Sequence, residues 1–106
     1  MSTLVFSLRS ESLEAVALCK RVIEGLLIKG HQVQMLSEEA DALALPDAAT
    51  DISLLGVNAD LAVSVGGDGT MLRTFDLVAG KNVPVLGVNM GRLGYLTEFE
   101  PDQIDA

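Results

Sequence analysis

The chain has 106 residues, the size of one domain and short of two, and 49% of them are hydrophobic, which excludes a disordered chain. Its 15 acidic residues against 7 basic ones leave a formal net charge of −8, which argues against nucleic acid and against an anionic membrane surface as partners. No apolar run approaches the ~20 residues of a membrane span, and no signal-peptide pattern opens the chain, so a cytoplasmic address is expected. The single cysteine, Cys19, excludes an internal disulfide and a cysteine-rich zinc site, and its mid-helix place reads as a small buried hydrophobe.

Leu4-Val5-Phe6-Ser7-Leu8 reads as a first strand. Ser10 or Ser12 is placed to cap the helix that follows, in which Leu13, Val16, Ala17, Ile23, Leu26 and Leu27 recur at helical spacing. Gly30 stands where a glycine stop is expected, and His31 falls in the turn after it, a poor metal-ligand candidate. Gln32-Val33-Gln34-Met35-Leu36 alternates polar and apolar, as an edge strand does. Residues 36–60 hold six acids and no Lys or Arg, and read as a solvated loop region. Within it Ser37-Glu38-Glu39-Ala40 opens a short helix that Pro46 ends, and Asp51–Leu55 marks another short element.

Leu61-Ala62-Val63-Ser64-Val65 is the clearest strand, nearly all apolar, as strands covered on both faces are. It runs straight into Gly66-Gly67-Asp68-Gly69-Thr70, and Met71, Leu72, Phe75, Leu77 and Val78 then suggest a helix that ends near Gly80. Val83-Pro84-Val85-Leu86-Gly87-Val88-Asn89 reads as a fourth strand, with Pro84 near its start because proline removes a ladder donor. Gly91-Arg92-Leu93-Gly94 follows as a loop. Strand–helix–strand alternation predicts one α/β domain over residues 1–106: a Rossmann-like open sheet of about four mainly parallel strands with helices on both faces.

The glycine-rich turn carries the chemistry. In open parallel sheets, ligands bind at the carboxyl ends of strands. Three glycines in four positions permit positive φ and a close approach of ligand to backbone. The helix starting near Thr70 aims unpaired N–H groups and a positive dipole end at the same spot, where a phosphate is the natural occupant. No Lys follows the glycines, so this is not a Walker P-loop, and the spacing is not Gly-x-Gly-x-x-Gly. Instead Asp68 stands at the centre of the loop. A carboxylate beside phosphates is repulsive unless a cation or a hydroxyl intervenes, which points to phosphoryl transfer with Mg²⁺ or to an acceptor alcohol held in line. The bland alternative is an Asp that caps the helix and glycines that only make the turn.

Val65-Gly66-Gly67-Asp68-Gly69-Thr70-Met71-Leu72-Arg73 resembles the signature of NAD kinases. Diacylglycerol and sphingosine kinases share its Gly-Gly-Asp-Gly core, and phosphofructokinases carry a related loop. The segment Pro84–Phe99, which holds Asn89-Met90-Gly91-Arg92-Leu93-Gly94-Tyr95-Leu96-Thr97, resembles the NAD kinase stretch after the next strand and separates that family from the others. The two segments cover residues 60–99; the first sixty residues match in pattern only.

The resemblance implies transfer of a phosphoryl group from ATP, with Mg²⁺ or another divalent metal, to the 2′-hydroxyl of the adenosine ribose of NAD. Polyphosphate as donor and NADH as acceptor stay open. Asp68 takes the role of proton acceptor and NAD contact. Gly69 lets NAD approach the backbone, while Gly66, Gly67, Gly69 and Thr70 line the phosphate path. Arg73, placed in the first helical turn, either meets the dinucleotide or faces solvent. Tyr95 contacts the adenine end of NAD, flanked by Leu96 and Thr97, or else is a core aromatic. Asn89 and Arg92 are motif positions without a derived role; Arg92 either pairs with phosphate or braces the loop. No side chain is assigned as a metal ligand, the Mg²⁺ being carried by ATP.

NAD kinases are also larger, with a mainly β, NAD-binding domain after this one. The resemblance therefore implies that residues 1–106 are an N-terminal domain, inactive in isolation, and that surface normally covered drives self-association within a family of homo-oligomers. Two other readings remain: a fragment of a lipid or sphingoid kinase, and a non-catalytic nucleotide-binding module.

Overall fold

Alternation of short apolar runs with helical stretches produces seven elements in this computed structural model, which describes residues 1–89. They are β1 (Thr3–Leu8), α1 (Leu13–Ile28), β2 (Gln32–Gln34), α2 (Ser37–Ala42), β3 (Leu61–Gly66), α3 (Asp68–Leu77) and β4 (Val85–Asn89), with a 3₁₀ turn at Pro46–Ala48. Arg92, Tyr95, Leu96 and Thr97 lie outside the described residues. The four strands form one sheet in the order β2-β1-β3-β4, and every pairing is parallel. The expected edge strand is indeed β2, and Pro84 stands just before β4, where its carbonyl accepts from the Ala62 N–H at 2.9 Å. Among the described residues no helix is long and apolar enough to cross a membrane.

The period-two alternation of the strands divides the core. Phe6 and Leu8 of β1 and Val63 and Val65 of β3 pack with Ala15, Leu18, Cys19, Val22 and Ile23 of α1. Val5 and Ala62, one residue out of phase, pack with Leu55 and Val78 on the other side. Helices thus cover both faces, as the alternation predicts. Each fully buried Leu, Ile or Phe contributes about 1.5–3 kcal/mol through removal from water.

The ends of α1 follow from local chemistry. Ser12, not Ser10, is the N-cap: its Oγ accepts from the Ala15 N–H at 3.2 Å. At the other end Gly30 takes φ +89°, and the N–H groups of Gly30 and His31 donate to the carbonyls of Leu27 and Leu26. That pairing closes the helix with a left-handed residue only glycine adopts without strain. His31 is occupied locally, its Nδ1 accepting from the Ser2 N–H at 3.0 Å.

Two expectations are corrected. The stretch 36–60 is not simply a solvated loop: Ala40, Leu43, Ala48 and Leu55 are buried in it, and so is the carboxylate of Glu39. Its α2 ends at Ala42 with Leu43 as its C-cap, and Ala44 turns to φ 55°, so Pro46 opens the 3₁₀ turn instead of ending the helix. Asp51–Leu55 forms turns, in which the Asp51 carboxylate accepts from the N–H and hydroxyl of Ser53. In α3 the helix forms as expected, yet Leu72 and Phe75 are 65% and 51% exposed while Thr70 and Thr74 are buried.

Cys19 is fully buried against the sheet, and desolvation first, then the nearby charge of Glu39, pushes its thiol pKa up to about 12. Because the thiolate is the reactive species, a disulfide reagent at pH 8 should label Cys19 about a thousandfold more slowly in the native protein than in denaturant. Comparable rates in the two states would show that the α1 face is open.

Candidate functional site

The sheet order makes β1 the point where the chain changes direction: β2 lies on one side of it, β3 and β4 on the other. At such a switch point the loops after two neighbouring strands diverge and leave a crevice beyond their carboxyl ends. Here it lies between the loop after β1 and the Gly66–Thr70 turn after β3. Pairing of the two strands runs to the edge of the crevice, where the Arg9 N–H donates to the Val65 carbonyl at 3.0 Å. A cleft of about 320 Å³ results, lined by Arg9, Glu11, Gly67, Asp68, Gly69, Thr70 and Arg73. A larger hollow of about 530 Å³ flanks the edge strand β2, lined by residues of 27–48 such as Leu27, Val33 and Pro46, and it holds none of the motif residues.

The glycine turn is built by close packing. β3 ends at Gly66, Gly67 is the N-cap of α3, and Asp68 is its first residue. A Cβ on Gly66 would sit 2.5 Å from Thr70 Oγ1 and 2.9 Å from Thr70 Cβ, so only glycine lets α3 approach β3 this closely. Gly67 and Gly69 differ, since no described residue lies within 4 Å of where their Cβ would be. None of the three takes a positive φ, which corrects one expectation: the glycines here provide room, not a left-handed turn. The first helical hydrogen bond runs from the Met71 N–H to the Gly67 carbonyl at 3.0 Å. The N–H groups of Asp68, Gly69 and Thr70 therefore have no partner in the helix and stand at its positive end.

Asp68 is exposed, and its carboxylate makes no hydrogen bond with the described residues. It is not the N-cap, and no side chain caps α3, so the bland reading of a merely capping aspartate does not describe it. Asn89 closes β4 in register with Gly66, which brings that motif position to the same end of the sheet.

Arg73 falls in the second turn of α3 rather than the first. Its guanidinium neither floats in solvent nor turns wholly to the cleft. Nη2 donates to the Leu8 carbonyl at 2.7 Å, lies 3.4 Å from Ser7 Oγ, and pairs with Glu39 Oε2 at 2.8 Å. Glu39 Oε1 in turn accepts from the Leu8 N–H at 3.1 Å. Both main-chain polar groups of Leu8 are thus taken up at the carboxyl end of β1. Glu39 was not among the residues the motifs singled out. Its one sequence signal is an acid on the helical face that also carries Leu43, which is legible only once α2 is known to be buried.

Burial pushes the Glu39 carboxyl above its ordinary pKa of 4.5, against the lowering effects of the Leu8 N–H and Arg73; Glu38 and Glu11 add to the rise. The folded form holds this proton more tightly than the unfolded one. The Glu39 contribution to stability is therefore fullest below pH 4.5 and is lost as the pH climbs through the raised folded value. Glu39→Gln should accordingly compare better with the parent at pH 7 than at pH 4.5, read as the difference in Tm at each pH. A difference that moves the other way would show the ion pair outweighing desolvation. Gly66→Ala should cost about 1–3 kcal/mol and lower Tm by ~5 °C or more, while Gly67→Ala leaves Tm within ~2 °C. Equal effects would contradict the close contact at Gly66.

A family model described as the ATP-NAD kinase N-terminal domain matches residues 29–106. The NAD kinase of Hahella chejuensis is 42% identical over 100 residues, covering 92% of this chain and 33% of that protein. The NAD kinase of Methanothermobacter thermautotrophicus is 38% identical over 99 residues, with 91% and 34% covered. The chain thus spans about a third of the length of the curated relatives it matches. Yeast NADH kinase, solved in complex with NADH, superposes with a TM-score of 0.83 over 97% of this chain and 35% of its own, at 19% identity, a likeness that speaks for the fold. Matched by the family model over well more than half its length, the chain belongs to the ATP-NAD kinase family, as its N-terminal domain.

Proposed function

We propose that the protein to which this domain belongs transfers the γ-phosphoryl group of ATP to the 2′-hydroxyl of the adenosine ribose of NAD, giving NADP and ADP. The observation that carries this reading is Asp68: an exposed carboxylate with no partner among the described residues, beside helix-end amides at the switch point of the sheet. An isolated acid there repels phosphate, but it accepts a hydrogen bond from an alcohol.

In this reading the amides of residues 68–70 and the open backbone at Gly67 and Gly69 receive phosphate oxygens. Gly66 acts indirectly, by letting α3 sit where those amides point. Asp68 holds the ribose hydroxyl in line with the γ-phosphorus. The new O–P bond forms as the bond to the β-phosphate oxygen breaks, ADP leaves with that oxygen, and the hydroxyl proton passes to Asp68. A loose phosphoryl-transfer transition state requires little early deprotonation, so orientation comes first and proton uptake late.

No group of three or more His, Cys, Asp or Glu among the described residues is arranged to hold a metal. Among the described residues the carboxylates that line the cleft are Asp68 and Glu11. The divalent ion of the reaction belongs, in this reading, to the triphosphate. Tyr95, Leu96 and Thr97 are assigned to the dinucleotide, and Asn89 and Arg92 to the same end of the sheet, by the motif alone. A further, β-rich domain completes the NAD site, and the enzyme works in the cytoplasm as a homo-oligomer. The exposed Leu72 and Phe75 support a covered surface, because they share one stripe of α3 with Asp68.

The family membership favours NAD over a lipid or sphingoid alcohol as acceptor, and the unpartnered Asp68 favours catalysis over binding alone. In the full-length protein, Asp68→Asn should lower NADP formation at least ~100-fold while leaving Tm unchanged, since the residue is exposed. Near-normal turnover in that variant would sink the assignment.

A further inference from the structure

Among the described residues Glu39 is the sole buried charged side chain, and neither sequence motif contains it. Were its task only to fill space behind β1, an apolar side chain of similar volume would serve as well or better, because a buried ion pair seldom adds net stability. Its contacts point to a different task. Nη2 of Arg73 is fully engaged by Glu39, the Leu8 carbonyl and Ser7. No described residue accepts from its Nε or Nη1, and its side chain, 45% exposed, lines the cleft beside Gly67, Asp68 and Gly69. The guanidinium is therefore gripped from one side and open on the other.

We propose that Glu39 is a positioning residue for nucleotide binding: clamped to β1 through the Leu8 N–H, it fixes Arg73 so that the free edge of the guanidinium meets the negative charge of the nucleotide in the cleft. This rests on the kinase reading above. An unrestrained arginine would lose rotamer freedom on meeting a phosphate, and the clamp removes most of that loss before the ligand arrives. The planar fork is what makes the arrangement work, since its donors on one edge can be held while those on the other stay available.

The test is steady-state kinetics of the full-length protein with NAD and Mg-ATP, on Glu39→Gln, Arg73→Met and the double variant, with Tm measured for each. Glu39→Gln should raise the KM for one of the two nucleotides ~3–10-fold with kcat within about twofold, the pattern of lost binding rather than lost chemistry. Arg73→Met should raise the same KM at least as much, and the double variant should match Arg73→Met, because Glu39 acts through Arg73. An unchanged KM in Glu39→Gln, or effects that multiply in the double variant, overturns the proposal. A merely structural role would lower Tm and active fraction and leave both KM values alone. Arg73→Lys keeps the charge at a half-exposed position but cannot be held on one edge and stay open on the other, so it should also raise KM. A lysine variant with the parental KM overturns the proposal even if Glu39→Gln is too unstable to assay. Absence of NADP formation by the parent protein would instead sink the kinase reading, and calorimetric binding of ADP to the same variants then reads the Glu39–Arg73 coupling on its own.

Discussion

The site depends on how closely α3 approaches the sheet. Helix and strand meet through small side chains: Ser7, Ser64 and Gly66 on the strands, Thr70 and Thr74 on the helix, all of them buried. Thr74 returns its hydroxyl to the Thr70 carbonyl at 2.7 Å, so a polar helix face is buried without an orphaned group. Bulkier residues would push the helix outward and carry its first three amides away from the strand ends. The placement of the helix-end amides at the cleft is thus set by small side chains packed between helix and sheet.

The same closeness accounts for the anchoring of Arg73. A helix lying tight against β1 and β3 brings a residue of its second turn within reach of the last main-chain groups of β1 and of α2 on the far side. It also reconciles a chain of net charge −8 with the anionic ligand proposed for the cleft. Most of the acids are spread over exposed positions, where salt screens them within about 10 Å. The cleft gathers the helix-end amides with two bases, Arg9 and Arg73, and two acids, Glu11 and Asp68, so local dipoles and short-range donors, not net charge, decide what binds there.

Much of this was readable beforehand. The nearly all-apolar runs at Leu4–Leu8 and Leu61–Val65 declare buried parallel strands, and glycines between a strand and a helix mark the ligand end of such a sheet. Two features escaped for physical reasons. Thr70 and Thr74 carry no hydrophobic signal, so the periodicity of Met71, Leu72, Phe75 and Val78 identifies a helix without revealing which stripe faces the strands. Glu39 sits in a run of acids that composition alone assigns to solvent; its burial is a property of the partner it meets, Arg73, 34 positions along the chain. The glycines gave a subtler error, because conformational freedom and lack of bulk are two consequences of one missing Cβ, and only packing tells which is used.

The pairing of β1 with β3 bears on how this domain comes to exist at all. Leu4 is matched to Leu61, and Thr3 exchanges hydrogen bonds with Asp60, so the two central strands close a loop that encloses α1, β2 and α2. The β1–α1–β2 unit is local and can collapse early, but its second sheet edge stays unsatisfied until residue 66 has been made. On the ribosome the N-terminal half must wait, with β1 exposed along one side, for the very strand that delivers the glycine turn. Maturation of the central sheet and of the glycine turn is consequently one event in time, and a nascent chain stalled before β3 would offer chaperones an open strand edge rather than a finished subdomain.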